Sequence, residues 1–254
     1  MKNKIHYINE ILFHNNNLSL IHYMLYIVPT PIGNLEDITF RAVRILKEVD
    51  FILAENILNS KKLLNFFKIK NNILSYNIYN EHKIIFNIIL FLKKCNNIAL
   101  IADAGTPIIS DPGFLLVRHC IKNNIKVSCL PGATAFIPAL INSGFSINEF
   151  TFIGFLPHKK GKEKKIKTLC KESRTIIIYE SPYRILNTLY IIKNYIGNIE
   201  KQISICREIS KKFEQTIIGN INDILFFFSK KKPKGEFVII LQGKGKTIRG
   251  TERI

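Results

Sequence analysis

Between residues 25 and 139, short apolar runs alternate with longer stretches of helical periodicity, and this alternation constrains the fold more than any other feature. Strands are predicted at 25–28, 51–54, 73–76, 98–102 and 126–130, with helices at 38–47, 58–67, 81–94 and 114–121 between them. Short strands separated by ten-to-fifteen-residue helices require βαβ units with right-handed crossovers, hence a mainly parallel sheet flanked by helices. After Ser143-Gly144-Phe145 the rhythm changes. Strands at 151–155, 175–180, 202–207, 215–219 and 237–241, with helices at 162–171 and 183–195, describe a second α/β domain of mixed topology. The expected division is an extension at 1–23, a first domain at 24–144, a second at 145–243 and a short tail at 244–254. Met24 stands directly before the first core strand in a chain with only two methionines, so it is a candidate start of the functional protein.

Three Gly/Pro-rich loops follow predicted strands. The longest is Ala102-Asp103-Ala104-Gly105-Thr106-Pro107-Ile108-Ile109-Ser110-Asp111-Pro112-Gly113. Its glycines permit positive φ or close backbone approach, and its prolines stiffen it. Pro29-Thr30-Pro31-Ile32-Gly33-Asn34 and Pro131-Gly132-Ala133-Thr134-Ala135 are the others. In an open parallel sheet, loops at the carboxyl ends of strands converge on one edge, where ligands bind. None of the three matches a GxxxxGK[ST] or GxGxxG pattern, which argues against ATP and NAD.

Charge supplies the second constraint. Thirty-seven Lys+Arg against 19 Asp+Glu give a net +18, part of it a bias toward Ile, Asn and Lys throughout. The excess points to a polyanion. It concentrates in GFLPHKKGKEKK (154–165), REISKKFE (207–214) and KKKPKGE (230–236), each at a loop. Five scattered cysteines, without a CxxC pair, read as reduced thiols of a cytosolic protein. Six histidines without HxH or HxxxH spacing support no metal site. Apolar runs are too short to span a bilayer.

The motifs VPTPIGNLEDITFRA (28–42), DAGTPIISDPG (103–113), LPGATA (130–135), GFLPHKKGKEKK, YESPYRI (179–185), REISKKFE and KGEFVII (234–240) together resemble the ribosomal small subunit methyltransferase I family. Its members are S-adenosylmethionine-dependent enzymes of the tetrapyrrole methylase superfamily that methylate a cytidine 2′-hydroxyl of 16S rRNA. The resemblance runs in family order over residues 25–243. It implies two α/β domains with the cofactor in the cleft between them, a homodimer, and a cytoplasmic protein whose partner is 16S rRNA in the small ribosomal subunit. Carried over, Gly33, Asp103, Ala104, Gly105, Thr106, Ile108 and Ser110 line the cofactor pocket, with Pro131, Gly132, Thr134 and Ala135 opposite. Lys159, Lys160, Lys162, Lys164 and Lys165 form an expected phosphate-contacting flap, with Arg184, Arg207, Lys211 and Lys212 as further RNA contacts. Deprotonating a ribose hydroxyl calls for a nearby carboxylate; Glu55, Asp37 and Glu180 are candidates, unranked.

The chain departs from the family pattern at two places. Ala54-Glu55-Asn56-Ile57-Leu58 stands where the family usually has Ala-Glu-Asp-Thr-Arg, and Ser75-Tyr76-Asn77-Ile78-Tyr79-Asn80-Glu81 stands for Ser-Tyr-His-Glu-His-Asn-Glu. Two acids, an arginine and two histidines are thereby absent. Two other readings fit part of the pattern: a superfamily member acting on a small tetrapyrrole-like molecule, and an RNA-binding remnant with reduced activity.

Overall fold

A computed structural model describes residues 23–94, 96–158, 161–196, 201–230 and 232–243. The expected 1–23 extension (Tyr23 apart), the 244–254 tail, Lys159 and Lys160 lie outside the described residues. The chain divides into two compact units: one holds residues up to Thr30 together with Ile38–Gly132, the other Pro31–Asp37 together with the chain from Ala133 onward.

In the first unit, β1 (Met24–Ile27), β2 (Phe51–Ala54), β3 (Asn72–Ser75), β4 (Ile98–Ile101) and β5 (Lys126–Cys129) form one sheet in the order β3-β2-β4-β1-β5. All its pairs are parallel. The crossovers are α1 (Phe40–Glu48), α2 (Ile57–Phe66), α3 (Glu81–Lys93) and α4 (Phe114–Lys122). Strand residues alternate between two cores, as the period of two demands. Leu25, Ile27, Leu53, Ile98 and Leu100 pack under α3 and α4 with Ile88, Leu92, Leu116 and Cys120. Val28, Ile52, Ala54, Ala99 and Ile101 pack under α1 and α2 with Ile45, Leu46 and Leu64. Both faces are therefore covered, and the central strands read as continuous apolar runs. The chain moves outward through α1 and α2 and returns through α3 and α4, so right-handed crossovers put the two pairs on opposite faces. Direction reverses between β1 and β4, which makes that crevice the topological switch point.

The second unit has β6 (Phe150–Phe155), β7 (Thr175–Glu180), β8 (Ile203–Arg207), β9 (Gln215–Gly219) and β10 (Phe237–Leu241) in the order β6-β7-β10-β8-β9. Only β6 and β7 run parallel; the other neighbours are antiparallel. One face carries α6 (Lys162–Leu169), α7 (Ile185–Ile196) and α8 (Ile221–Ser229) over Ile176, Ile178, Ile203, Ile205 and Ile239. The other carries α5 (Phe136–Asn142), whose Ala139 and Leu140 pack on Ile177, Cys206, Val238 and Ile240. That packing places α5 with the second unit, so the division falls at Gly132/Ala133 and not at the expected 144/145. The helix α8 is a further correction. It lies outside the two helices expected in this domain, yet Ile221, Ile224, Leu225 and Phe228 are buried at helical spacing behind an Asn220 cap. Among the described residues no helix is long and apolar enough to cross a membrane.

Candidate active site

Because β2, β4, β1 and β5 are parallel neighbours, the loops leaving their carboxyl ends share one sheet edge. Thr30, leaving β1, is fully buried and clamps the loop after β4. Its N–H donates to the Gly105 carbonyl at 2.9 Å, the Gly105 N–H returns the bond to Thr30 at 3.0 Å, and its hydroxyl donates to the Ala102 carbonyl at 3.1 Å. Gly105 sits at φ 81°, a region glycine enters without strain. Its backbone donor and acceptor are therefore spent on Thr30, so its contribution to a pocket is shape and not a free hydrogen bond. Farther along, Ile108 and Ser110 adopt positive φ (77° and 73°) without being glycine; for a β-branched residue this is costly and occurs where surrounding structure enforces it. Gly113, at φ 132°, begins α4 with no side-chain cap, so Asp111 is not the N-cap. Gly132 is likewise explained by packing: a Cβ there would come within 2.5 Å of the Pro29 side chain.

Three carboxylates meet on this edge. Glu55 follows β2, while Asp103 and Asp111 lie in the loop after β4. Burial, then the charges of Glu55 and Asp103, push the Asp111 carboxyl up to about 7. Burial and Asp103 raise Glu55 as well. Asp103 accepts from the Asn59 side chain at 2.7 Å. The altered motif after β2 keeps a capping role here, since Asn56 accepts from the N–H groups of Leu58 and Asn59. The altered motif after β3 is held by its own amides: Asn80 accepts from the Asn77 N–H at 2.8 Å and donates to the Ser75 carbonyl at 2.9 Å. Ile78 and Tyr79 are left exposed. Ala104, Thr106, Ile108 and Ser110 lie in the same loop after β4 as Asp103 and Asp111. Thr134 and Ala135 belong to the second unit, where Ala135 packs beside Phe136 in the core under α5.

The second unit gathers the basic motifs on one edge of its own sheet. The register sets Phe155 beside Tyr179, Glu180 beside Phe237, Phe237 beside Arg207 and Arg207 beside Gln215. Many of the charges there are already engaged. Glu180, its side chain wholly buried, meets Arg184 Nε at 3.2 Å and Lys162 Nζ at 3.7 Å. It also accepts from the Thr188 hydroxyl at 2.6 Å and the Ser181 N–H at 2.9 Å. Burial lowers the Lys162 pKa, Glu180 opposes that shift and Arg184 adds to it. Arg184 donates further to the carbonyls of Leu156 (2.7 Å) and Pro157 (3.2 Å). Glu180 and Lys162 therefore form a buried clasp, against the expectation of a catalytic acid and a free flap lysine. Lys164 and Lys165 on α6 remain exposed.

A similar correction applies to Gly33, Asp37 and Lys211. A Cβ on Gly33 would fall 2.3 Å from the Lys211 side chain and 2.9 Å from the Ser210 carbonyl, so the glycine admits the 208–214 turn. Asp37 accepts from the Ser210 hydroxyl. Glu208 and Ser210 hold positive φ, and Lys211 bridges Glu208 at 3.1 Å and Glu236 at 3.0 Å. Lys212 stays exposed, while Arg207 keeps a buried Nε without a hydrogen-bond partner. Spacing could not reveal the contacts of Gly33 with Lys211, Asp37 with Ser210 and Lys211 with Glu236, because they join residues far apart in sequence.

Residues 24–225 match the model of the tetrapyrrole (corrin/porphyrin) methylases. Two relatives bear the name ribosomal RNA small subunit methyltransferase I. That of Thermotoga maritima is 44% identical over 220 residues, 87% of this chain and 98% of the relative. That of Buchnera aphidicola subsp. Acyrthosiphon pisum is 49% identical over 225 residues, 87% and 79% respectively. Among solved structures, a cobalt precorrin-4 methyltransferase of cobalamin biosynthesis aligns with a TM-score of 0.65 at 15% identity, covering 87% of this chain and 95% of its own. The uroporphyrin-III-C-methyltransferase of Thermus thermophilus gives 0.58 at 17%, covering 87% and 94%. At such identities the likeness is one of fold.

Proposed function

Since the chain belongs to the ribosomal RNA small subunit methyltransferase I family of tetrapyrrole methylases, we propose that it methylates a cytidine 2′-hydroxyl of 16S rRNA, with S-adenosylmethionine as donor. The observation that carries this reading is the acidic trio Glu55, Asp103 and Asp111 on the loop edge of the parallel sheet, inside a chain of net charge +18. Three carboxylates gathered on one edge, with Asp111 raised by burial and by the charges of Glu55 and Asp103, suit a cationic ligand, and S-adenosylmethionine carries a sulfonium and an ammonium group. When bound, it supplies an electrophilic methyl group.

Asp103 and Glu55 would balance the ligand's positive charge, and Ala104, Thr106, Ile108 and Ser110 would line its slot. The rigid Thr30–Gly105 bridge holds that slot before the ligand arrives, which lowers the cost of ordering it. Asp111 is the residue suited to accept the 2′-hydroxyl proton, because a carboxylate poised near neutrality combines availability with driving force. Glu180 and Asp37 act instead as positioning residues. Exposed Lys164, Lys165 and Lys212 serve the phosphates, and the 2′-hydroxyl requirement rejects DNA. The protein works in the cytoplasm as a homodimer on the small subunit.

The test is transfer of a tritiated methyl group from S-adenosylmethionine to small subunits that lack the modification. Label should appear on a 16S ribose 2′-oxygen. Label on a tetrapyrrole instead, or none on RNA, overturns the reading.

A further inference from the structure

Outside the acidic edge, the second unit has a solvent-open hollow of about 360 Å³, at the small end of the range for ligand sites. One wall is built by Tyr183, Asn187 and Ile191, four residues apart and so on one side of α7 and the turn that leads into it. His158 and Lys162 line it from the loop after β6 and the first turn of α6, and Arg184 joins them from the clasp. Lys162 and Arg184 share the single carboxylate of Glu180, and a second carboxylate, Glu163, lines the hollow as well. The Glu163 carboxylate accepts from the Tyr195 hydroxyl at 2.6 Å. Tyr183 is 88% exposed, a large aromatic ring with no part in the core.

We propose that this hollow seats one unstacked nucleotide of single-stranded RNA, the base on the Tyr183 ring and the phosphate toward Arg184, Lys162 and His158. An aromatic platform beside an amide and basic side chains is how proteins hold splayed bases, with the ring taking the base face and the amide its edge. A phosphate alone would leave Tyr183 and Ile191 without purpose. The clasp gives the hollow its rigidity, because Arg184 fixes the carbonyls of Leu156 and Pro157 while Lys162 anchors the other end of the same loop. The inference rests on the rRNA reading above and names a substrate contact away from the reacting atoms.

The test uses the full chain and a labelled single-stranded RNA, followed by anisotropy across a salt series. Tyr183→Ala should weaken binding about 5- to 150-fold, the range for loss of one base stack, with the salt slope, thermal midpoint and S-adenosylmethionine affinity of the wild type. Tyr183→Phe should restore binding, and Asn187→Ala should alter base preference at one position. RNA affinity unchanged in Tyr183→Ala, or lost equally in Tyr183→Phe, overturns the proposal. Methyl transfer by the wild type is measured in parallel. Its failure would count against the rRNA reading, whereas the Tyr183 pair alone decides the hollow.

Discussion

The loop edge of the parallel sheet brings carboxylates together with one another, whereas the edge of the mixed sheet brings Glu180, Glu208 and Glu236 to cations. On the first, burial and then the charges of Glu55 and Asp103 raise Asp111. On the second, Glu180 is held by Lys162 and Arg184, and Lys211 by Glu208 and Glu236. The difference separates charge left available for a ligand from charge consumed by the fold. A basic motif is thus a poor guide to which lysine meets RNA until its tertiary partners are known.

The sharpest way to break this contrast is Asp111→Asn, which removes the proposed proton acceptor and keeps its shape. Methyl transfer should fall by about 10²- to 10⁴-fold, with RNA affinity unchanged. In the wild type, kcat/KM should rise with pH through about 7 as Asp111 ionises, and the variant should lack that limb. Rate profiles between pH 5.5 and 8.5 decide it.

Glu180→Gln attacks the other edge. It strands two cations at a buried site, at a cost of about 3–5 kcal/mol, readable as a lower denaturation midpoint. RNA affinity should fall with it, because both ends of the 156–162 loop are released. A midpoint equal to that of the wild type would mean the clasp is not structural.

Asp111 also carries a stability signature of opposite sign to the usual carboxylate. Its folded pKa lies above the unfolded value, so the native state holds the proton more tightly and wild-type stability declines as pH rises from about 4 to about 7. Asp111→Asn should therefore melt a few degrees above wild type at pH 8, and the gap should close as pH falls toward 4. A gap constant with pH would show that Asp111 is not perturbed.

The smallest effect concerns the exposed lysines. Replacing Lys164 and Lys165 together by Ala should leave the fold and cofactor affinity alone and reduce the salt slope of RNA binding by about 0.7 per lost contact. An unaltered slope would remove α6 from the RNA surface.

The elements were largely legible because periodicity reports burial directly. Both faces of the parallel sheet are covered, so β2 and β4 appear as plain apolar runs, and the three glycine loops fell on one edge because the strands are parallel. The miss at α8 came from two adjacent exposed phenylalanines, Phe226 and Phe227, which hid the helical spacing of their buried neighbours. The site was less legible. Gly33 and Gly132 read as ligand-facing, yet each makes room for another chain segment. Lys162, Glu180 and Lys211 read as reagents, yet each is held in ion pairs within the fold, and two of these, Lys162–Glu180 and Lys211–Glu236, join residues that no local pattern connects. Asp111 went unchosen among the bases because its raised pKa arises from burial and from acids supplied by β2 and β4 together.

The strand order also governs how the protein is made. The first strand, β1, pairs with β4 and β5 and never with β2, and even its opening N–H is satisfied by Asn97, 73 residues onward. On a growing chain β2 and β3 can pair early, while β1 must wait for β4 to slide in beside it. A nascent or truncated chain that stops short of residue 98 therefore has no switch-point crevice and no Thr30–Gly105 bridge. This loop edge is assembled late, by the return of the chain and not by its outward course.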